Sequence, residues 1–385
     1  MNTPSVFKRT YLIFSFAFMI YQGFIITFLN TLGFSESEIG FILSINLIGA
    51  VIGQFVNGYV ADKWLSLRQV MLIQIALSIV GMSILFFSTD YIAFAIVAVI
   101  IGFSLYSLYS VIDSWVLFES KETSEQYPLI LMFSSIGKSI SSLLMGKVLE
   151  LFGYDYMPIF YVISAFIFLY TVYKMQNSTK DAHEDREPVT GKDVLKMLNI
   201  KFIANVLLVS FLVFGMYSIF VNSNILIKTY GGTVFHVGVY FTIAGISELF
   251  YYYIINKYMS KMHPYVFMLM SIILILVNIL IILFTESYVV LLLSGFIYSG
   301  IFANFIMGSK RIFVLIVDEK VKNMGQSVSA ALYFSLAGAI TTSVTGVVSE
   351  NIGIIPMFRY ILGIEILILF ILTFINLRQQ VTKSI

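Results

Sequence analysis

Four ionisable side chains interrupt the long apolar stretches of this chain: Asp113 in YSLYSVIDSWVLF, Lys138 in SSIGKSISS, Glu248 in GISELFYYY and Glu365 in ILGIEILIL. A charge at the centre of a bilayer costs at least about 2.5 to 3.5 kcal/mol on insertion scales, so each needs a partner or a use. The chemistry open to them is proton carriage and ion pairing. Glu248 has Gly245 and Tyr252 on its own helical face. It sits about ten residues from a helix end, roughly 15 Å deep. Desolvation there favours the neutral acid, which suits a group that takes up and releases a proton; the structural alternative is a hydrogen-bonded acid fastening two helices. Asp113 is the second candidate for proton coupling, about one turn inside its helix. Lys138, Trp115, Asn222 and Tyr252 are the candidates for lining a solute cavity. Lys138 and Asp113 fall on consecutive helices and are placed to pair if a depth offset of roughly 9 Å can be bridged. Glu365 is expected to be structural or to meet lipid headgroups.

Other chemistries are excluded by what is missing. The chain has no cysteine, hence no thiolate or disulfide. Its three histidines, His183, His236 and His263, are far apart in sequence, and no metal site or other cofactor is expected. No GxxxxGK[ST] phosphate loop occurs, and a net charge of +2 gives no footprint for nucleic acid. An enzyme is not indicated.

The elements that carry these residues are set by composition. The chain has 385 residues, 11% charged and 59% hydrophobic, with a mean hydropathy of +0.93. Crossing a hydrocarbon core takes about 20 mostly apolar residues per helix. Such runs are expected at 9–30, 37–61, 69–88, 91–117, 127–151, 156–176, 200–225, 233–258, 264–285, 288–316, 325–350 and 355–377, giving an all-α membrane protein of twelve transmembrane helices. A β-barrel would alternate apolar and polar residues, whereas Val266 to Phe284 is apolar on nearly every face. The first run follows Lys8 and Arg9 but is too long for a signal-peptide core, so it is expected to be a retained helix.

Lysine and arginine set the orientation. With the amino terminus inside, all but Lys138, Lys147, Lys228 and Arg359 fall in or next to inner segments, which by the positive-inside rule places both termini in the cytoplasm. A polar stretch from Asn177 to Asp193 then reads as a cytoplasmic linker. The expected division is a bundle at 1–176, a linker at 177–199 and a second bundle at 200–385. The halves look duplicated: Gly146, Glu150 and Gly153 recur as Gly346, Glu350 and Gly353, Phe133 and Gly137 recur as Phe334 and Gly338, and Asp62, Lys63 and Ser66 are echoed by Asn256, Lys257 and Ser260. Gly49 and Gly53 form a small-xxx-small pair that lets helices approach closely.

Twelve helices in two halves, a central cytoplasmic loop, and Gly58-Tyr-Val-Ala-Asp62-Lys63 leading to Arg68 resemble the major facilitator superfamily. The topological resemblance covers the whole chain; in its most specific motif, Gly58, Asp62, Lys63 and Arg68 match, while Leu65 stands where the family often has glycine. The resemblance implies two pseudo-symmetric six-helix bundles that rock about a central site, with Asp62 acting as a latch of the cytoplasmic gate. It also implies a multi-pass protein of the cytoplasmic membrane, working as a monomer on a small-molecule substrate, with protons as the coupling ion and the bilayer as its surroundings. Glu248 is similar in position to the helix 8 acid of lactose-permease-like sugar/proton symporters, and Asp113 to their helix 4 acid. The likeness to that branch is distant: its helix 10 His-x-x-Glu is absent from FIYSGIFANF, and the antiporter Gly-Pro is absent from GKSISSLLMG. Aromatic abundance favours efflux of an amphipathic organic compound. Sugar or nucleoside uptake is the alternative within the family, and a lipid flippase or non-transporting receptor the alternative outside it.

Overall fold

The computed structural model describes residues 3–120, 123, 126–176, 196–258, 262–318, 325 and 328–384, with residues 3, 62, 117, 118, 128, 256 and 378–384 described by backbone alone. Most of the expected linker, 177–195, lies outside the described residues. Among the described residues there is no strand, and twelve helices are long and apolar enough to cross a membrane.

The first half contains α1 (Thr3–Thr31), α2 (Glu36–Lys63), α3 (Leu67–Ser83), α4 (Tyr91–Ile101 and Leu108–Glu119, joined by a widened turn at Gly102–Tyr106), α5 (Tyr127–Phe152) and α6 (Tyr156–Tyr173). The second contains α7 (Ile200–Thr229), α8 (Val234–Tyr258), α9 (Pro264–Phe284), α10 (Tyr288–Ile316), α11 (Ala337–Ile352, entered through a widened turn at Ala331–Leu336) and α12 (Ile354–Ser384). An even number of crossings returns the chain to the face it started from, here called the termini face; the other is the far face.

Local chemistry sets the helix ends. Ser35 caps α2 in a reciprocal box with Glu38, and Ser66 caps α3 with Gln69. At the far face α5 and α11 stop in the same way, at Gly153 (φ 89°) and Gly353 (φ 87°), a left-handed conformation open to glycine. These are two of the residues that signalled duplication.

Within a bilayer, apolar burial does not drive helices together, so close packing of small residues takes over. The expected Gly49 and Gly53 pair does this work against α4. A Cβ on Gly49 would lie 2.8 Å from the Val99 carbonyl oxygen, and one on Gly53 would strike the Phe103 carbonyl. The α4 stretch they meet runs into its widened turn, whose last residue, Tyr106, faces the centre of the molecule.

Candidate functional site

The two halves meet along two crossings related by pseudo-two-fold symmetry, α5 with α8 and α2 with α11. Toward the far face both are backbone on backbone. A Cβ on Gly146 of α5 would sit 3.1 Å from the Cα of Gly238 on α8, and one on Gly346 of α11 would sit 2.5 Å from the Glu36 carbonyl oxygen of α2. Each crossing ends in a carboxylate held at the start of the opposite helix. Glu150 accepts from the Thr233 hydroxyl at 2.6 Å, and Glu350 accepts from the Ser37 N–H at 2.9 Å. Lys228 at the end of α7 donates to the Thr31 hydroxyl of α1 at 2.7 Å. The far face is therefore sealed, and the repeated Gly-xxx-Glu-xx-Gly pattern is the material of the seal.

Halfway along the α5/α8 crossing, Lys138 of the first half meets Glu248 of the second at 2.6 Å. The carboxylate is nearly closed off, with its side chain 5% exposed against 22% for the lysine. Ser135 donates to the same Oε2 at 2.6 Å, and the Tyr252 hydroxyl donates to Oε1 at 3.2 Å. Lys138 also lies over the ring of Phe302 on α10, 5.6 Å from its centre. Closer to the termini face, Asp113 accepts from Tyr11 of α1 and from Tyr127 at the start of α5. Asp113 and Lys138 are thus drawn to different partners: Tyr127 and Lys138 are about eleven residues apart, roughly 16 Å along α5.

Between the halves, α2 and α7 leave a cavity of about 10 Å³, room for about one water. Gln22, Asn46, Leu47 and Tyr106 line it from the first half, and Tyr217, Phe220 and Thr342 from the second. The Gln22 Oε1 is buried without a hydrogen-bond partner, a free acceptor beside this space. No lining residue is charged.

Two halves joined at small-residue crossings around a central cavity are the arrangement of a rocking carrier. The sequence matches the family model of the Major Facilitator Superfamily over residues 10–309. The chain belongs to the major facilitator superfamily. Solved members with the same fold include the nucleoside transporter NupG (TM-score 0.82, 17% identity, 97% of this chain and 98% of that chain), a D-xylose-proton symporter (0.75, 17%, 96% and 96%) and the human organic anion transporter MFSD10 (0.70, 18%, 96% and 98%). No curated protein matches by sequence.

For this superfamily member, the expected site residues divide. Glu248, Lys138 and Tyr252 come together. Trp115 does not reach the cavity: it is 2% exposed, packs edge-on against Phe7 at 5.8 Å, and donates to Glu119 one turn on. Asn222 is turned back onto its own helix, donating to the Ser218 carbonyl at 2.9 Å. Of the gate motif, Gly58 has open space beside it, Lys63 donates to the Tyr59 hydroxyl at 2.8 Å, and Arg68 donates to the Tyr173 carbonyl. The Asp62 side chain lies outside the described residues. Glu365 does not meet headgroups. It is fully buried, seated in the notch that Gly215 leaves on α7.

Sequence reasoning missed Tyr106, which lines the cavity beside Gln22, and it gave Gly40 and Gly238 no role. Gly40 and Gly238 each lie five residues after the Ser or Thr that immediately precedes their helix (Ser35 and Thr233), a signal that could have found them.

Proposed function

We propose that this protein is a proton-coupled secondary transporter of a small amphipathic organic solute, lodged in the cytoplasmic membrane with both termini inside. The far face is then the external face, and the sealed arrangement is the inward-facing stage of an alternating-access cycle. One observation carries the reading: the Lys138–Glu248 bond spans the two halves at mid-depth. Protonating Glu248 cancels the charge attraction across the α5/α8 crossing, so a proton acts on the contact that rocking must rearrange.

The pair also bears on direction. Export, expected from composition, requires the solute to expel the proton. A solute group that draws Lys138 away instead leaves the carboxylate to be neutralised by a proton, so the two bind together. This sign supports cotransport, with proton and solute moving the same way.

The test is uptake into proteoliposomes of a solute panel, with and without an imposed pH gradient. The wild type is expected to accumulate solute only with the gradient, and Glu248→Gln to equilibrate it without accumulation. Accumulation by the Gln variant comparable to wild type removes Glu248 from the coupling. Asp113→Asn is expected to slow coupled transport while leaving the gradient requirement in place.

A further inference from the structure

We propose that Lys138 is the docking point for an anionic group on the solute, so that the transported class is organic carboxylates with an apolar or aromatic body. The inference rests on the reading of Glu248 as proton carrier, and comes from an asymmetry within the ion pair. Glu248 has donors besides the lysine: Ser135 on Oε2 and Tyr252 on Oε1. A protonated Glu248 keeps polar company. Beyond Glu248, Lys138 has the face of Phe302 at 5.6 Å. A protonated carboxyl therefore leaves a partly buried ammonium with its positive charge unbalanced, and a charge deprived of its partner away from bulk water is destabilising.

The same asymmetry selects the sign of the ligand. The lysine is the accessible member, 22% exposed against 5%. An anion therefore meets the lysine before the carboxylate, whereas a cation seeking Glu248 meets the lysine's like charge first. The groups facing the pair are Tyr109 from α4, Tyr252 from α8 and Tyr298 from α10, with Asp113 nearer the termini face. All three tyrosines offer hydroxyls rather than a carboxylate. The body of the ligand follows from the neighbouring rings. Phe302 adjoins Phe334, Phe334 adjoins Tyr217, and Tyr217 adjoins Phe220, with centroids 6.5, 5.6 and 6.5 Å apart. This aromatic path leads from the lysine to the central cavity.

The charges balance. Before loading, Lys138 and Glu248 sum to zero; after one proton binds Glu248 and one monoanion binds Lys138, the site again sums to zero. Loaded and empty carriers cross with the same charge, so a potassium-valinomycin voltage is expected to leave the transport rate unchanged.

The direct test needs no knowledge of the natural solute, because Glu248→Gln imitates the protonated acid. Thermal unfolding of the purified, full-length variant is followed at pH 8 with millimolar benzoate or acetate, and with benzyl alcohol and benzylamine as neutral and cationic controls. Benzoate is expected to raise the midpoint by about 3 °C or more, as mass action requires of a ligand well above its dissociation constant, with acetate giving less and the controls nothing. The shift should vanish in Lys138→Gln/Glu248→Gln and survive in Lys138→Arg/Glu248→Gln. The proposal is overturned if neither carboxylate moves the single variant, or if the shift persists in the Gln/Gln double variant. Should Glu248→Gln fail to fold, Glu248→Ala replaces it with the same ligands, and the absence of a carboxylate-specific shift there sinks the proposal. Because this readout is binding, a positive result beside uncoupled transport would reject the proton-carrier reading alone.

Discussion

The two ends of α2 present opposite surfaces to the rest of the molecule. At Gly40 a side chain would collide with the Thr342 carbonyl and sit 3.2 Å from the Cα of Gly346; at Gly58, on the same helix near the termini face, nothing lies within 4 Å of a Cβ. Beyond Gly58 come Tyr59 and Trp64, 50% and 66% exposed and packed edge-on against each other. One end is built for backbone contact with the other half, and the other end carries bulk and charge. The α5/α8 crossing repeats the pattern, with Gly146 and Gly238 toward the far face and the Lys138–Glu248 pair at its middle. A seal of glycine faces is short-ranged and all-or-none, because close-packed surfaces do not deform continuously. On the proposed function, the seal sets the geometry of the closed state and the polar pair, by taking a proton, sets when that state is favoured.

This comparison can be broken first at the pair. Lys138→Met leaves Glu248 buried without its counter-charge and is expected to lower stability by roughly 3 to 5 kcal/mol at pH 8. Glu248→Gln strands the lysine in the same way and is expected to lose stability too, though less, because the lysine side chain is 22% exposed against 5% for the carboxylate. Thermal unfolding at pH 8 ranks the two. The double variant is expected to lose less than the sum of the single losses, as coupled partners do.

The seal is tested next. Gly238→Val and Gly346→Val overpack backbone contacts and are expected to disfavour far-face closure by about 1 to 3 kcal/mol, while Gly58→Ala changes little. Since the natural chain has no cysteine, one engineered at Leu47 beside the cavity reports the state. Labelling from the far side by a membrane-impermeant maleimide should rise roughly tenfold or more in the valine variants, a factor each 1.4 kcal/mol provides. Equal labelling in Gly238→Val and Gly58→Ala would end the distinction between the two ends.

A smaller effect is expected at the carboxylates. Glu150→Gln with Glu350→Gln keeps an acceptor but loses its charge at a helix start, a weak, solvent-screened interaction at these exposed positions. Far-side labelling should rise a few-fold and each single variant less. Smallest of all, Asn222→Ala and Trp115→Phe remove hydrogen bonds made within a single helix, each expected to be worth about 0.6 kcal/mol. Solute uptake should stay near wild type, unlike Glu248→Gln; a collapse of uptake in Asn222→Ala would return that residue to the solute path.

The fold was largely legible because hydrocarbon has one demand. Every backbone polar group must be satisfied within the segment, so long apolar runs are helices wherever they occur, and the twelve expected spans agree with the observed helices to within several residues. The duplicated Gly146, Glu150 and Gly153 pattern was visible too, though its use was not. Mid-membrane charges announced themselves for the same energetic reason, and Glu248 and Lys138 were singled out separately. Their union was not legible. Helices 4 and 5 are neighbours in sequence, which suggested Asp113 for the lysine, whereas the true partner is on α8, about 110 residues away. Trp115 and Asn222 were misplaced for a related reason: residue type reports that a side chain needs a hydrogen bond, while the helix rotation decides whether it comes from a solute or from the preceding turn.

By itself, then, the sequence determined that the chain spans a membrane twelve times as helices, in two related halves, with a few costly charges inside, because hydrophobicity and glycine spacing act locally and can be read locally. Tertiary structure alone decided that Lys138 answers Glu248, that Gly40 and Gly238 close the far face, and that Glu365 sits against Gly215. Those facts depend on which faces two distant helices turn toward each other, and that angle is set by the packing of all twelve.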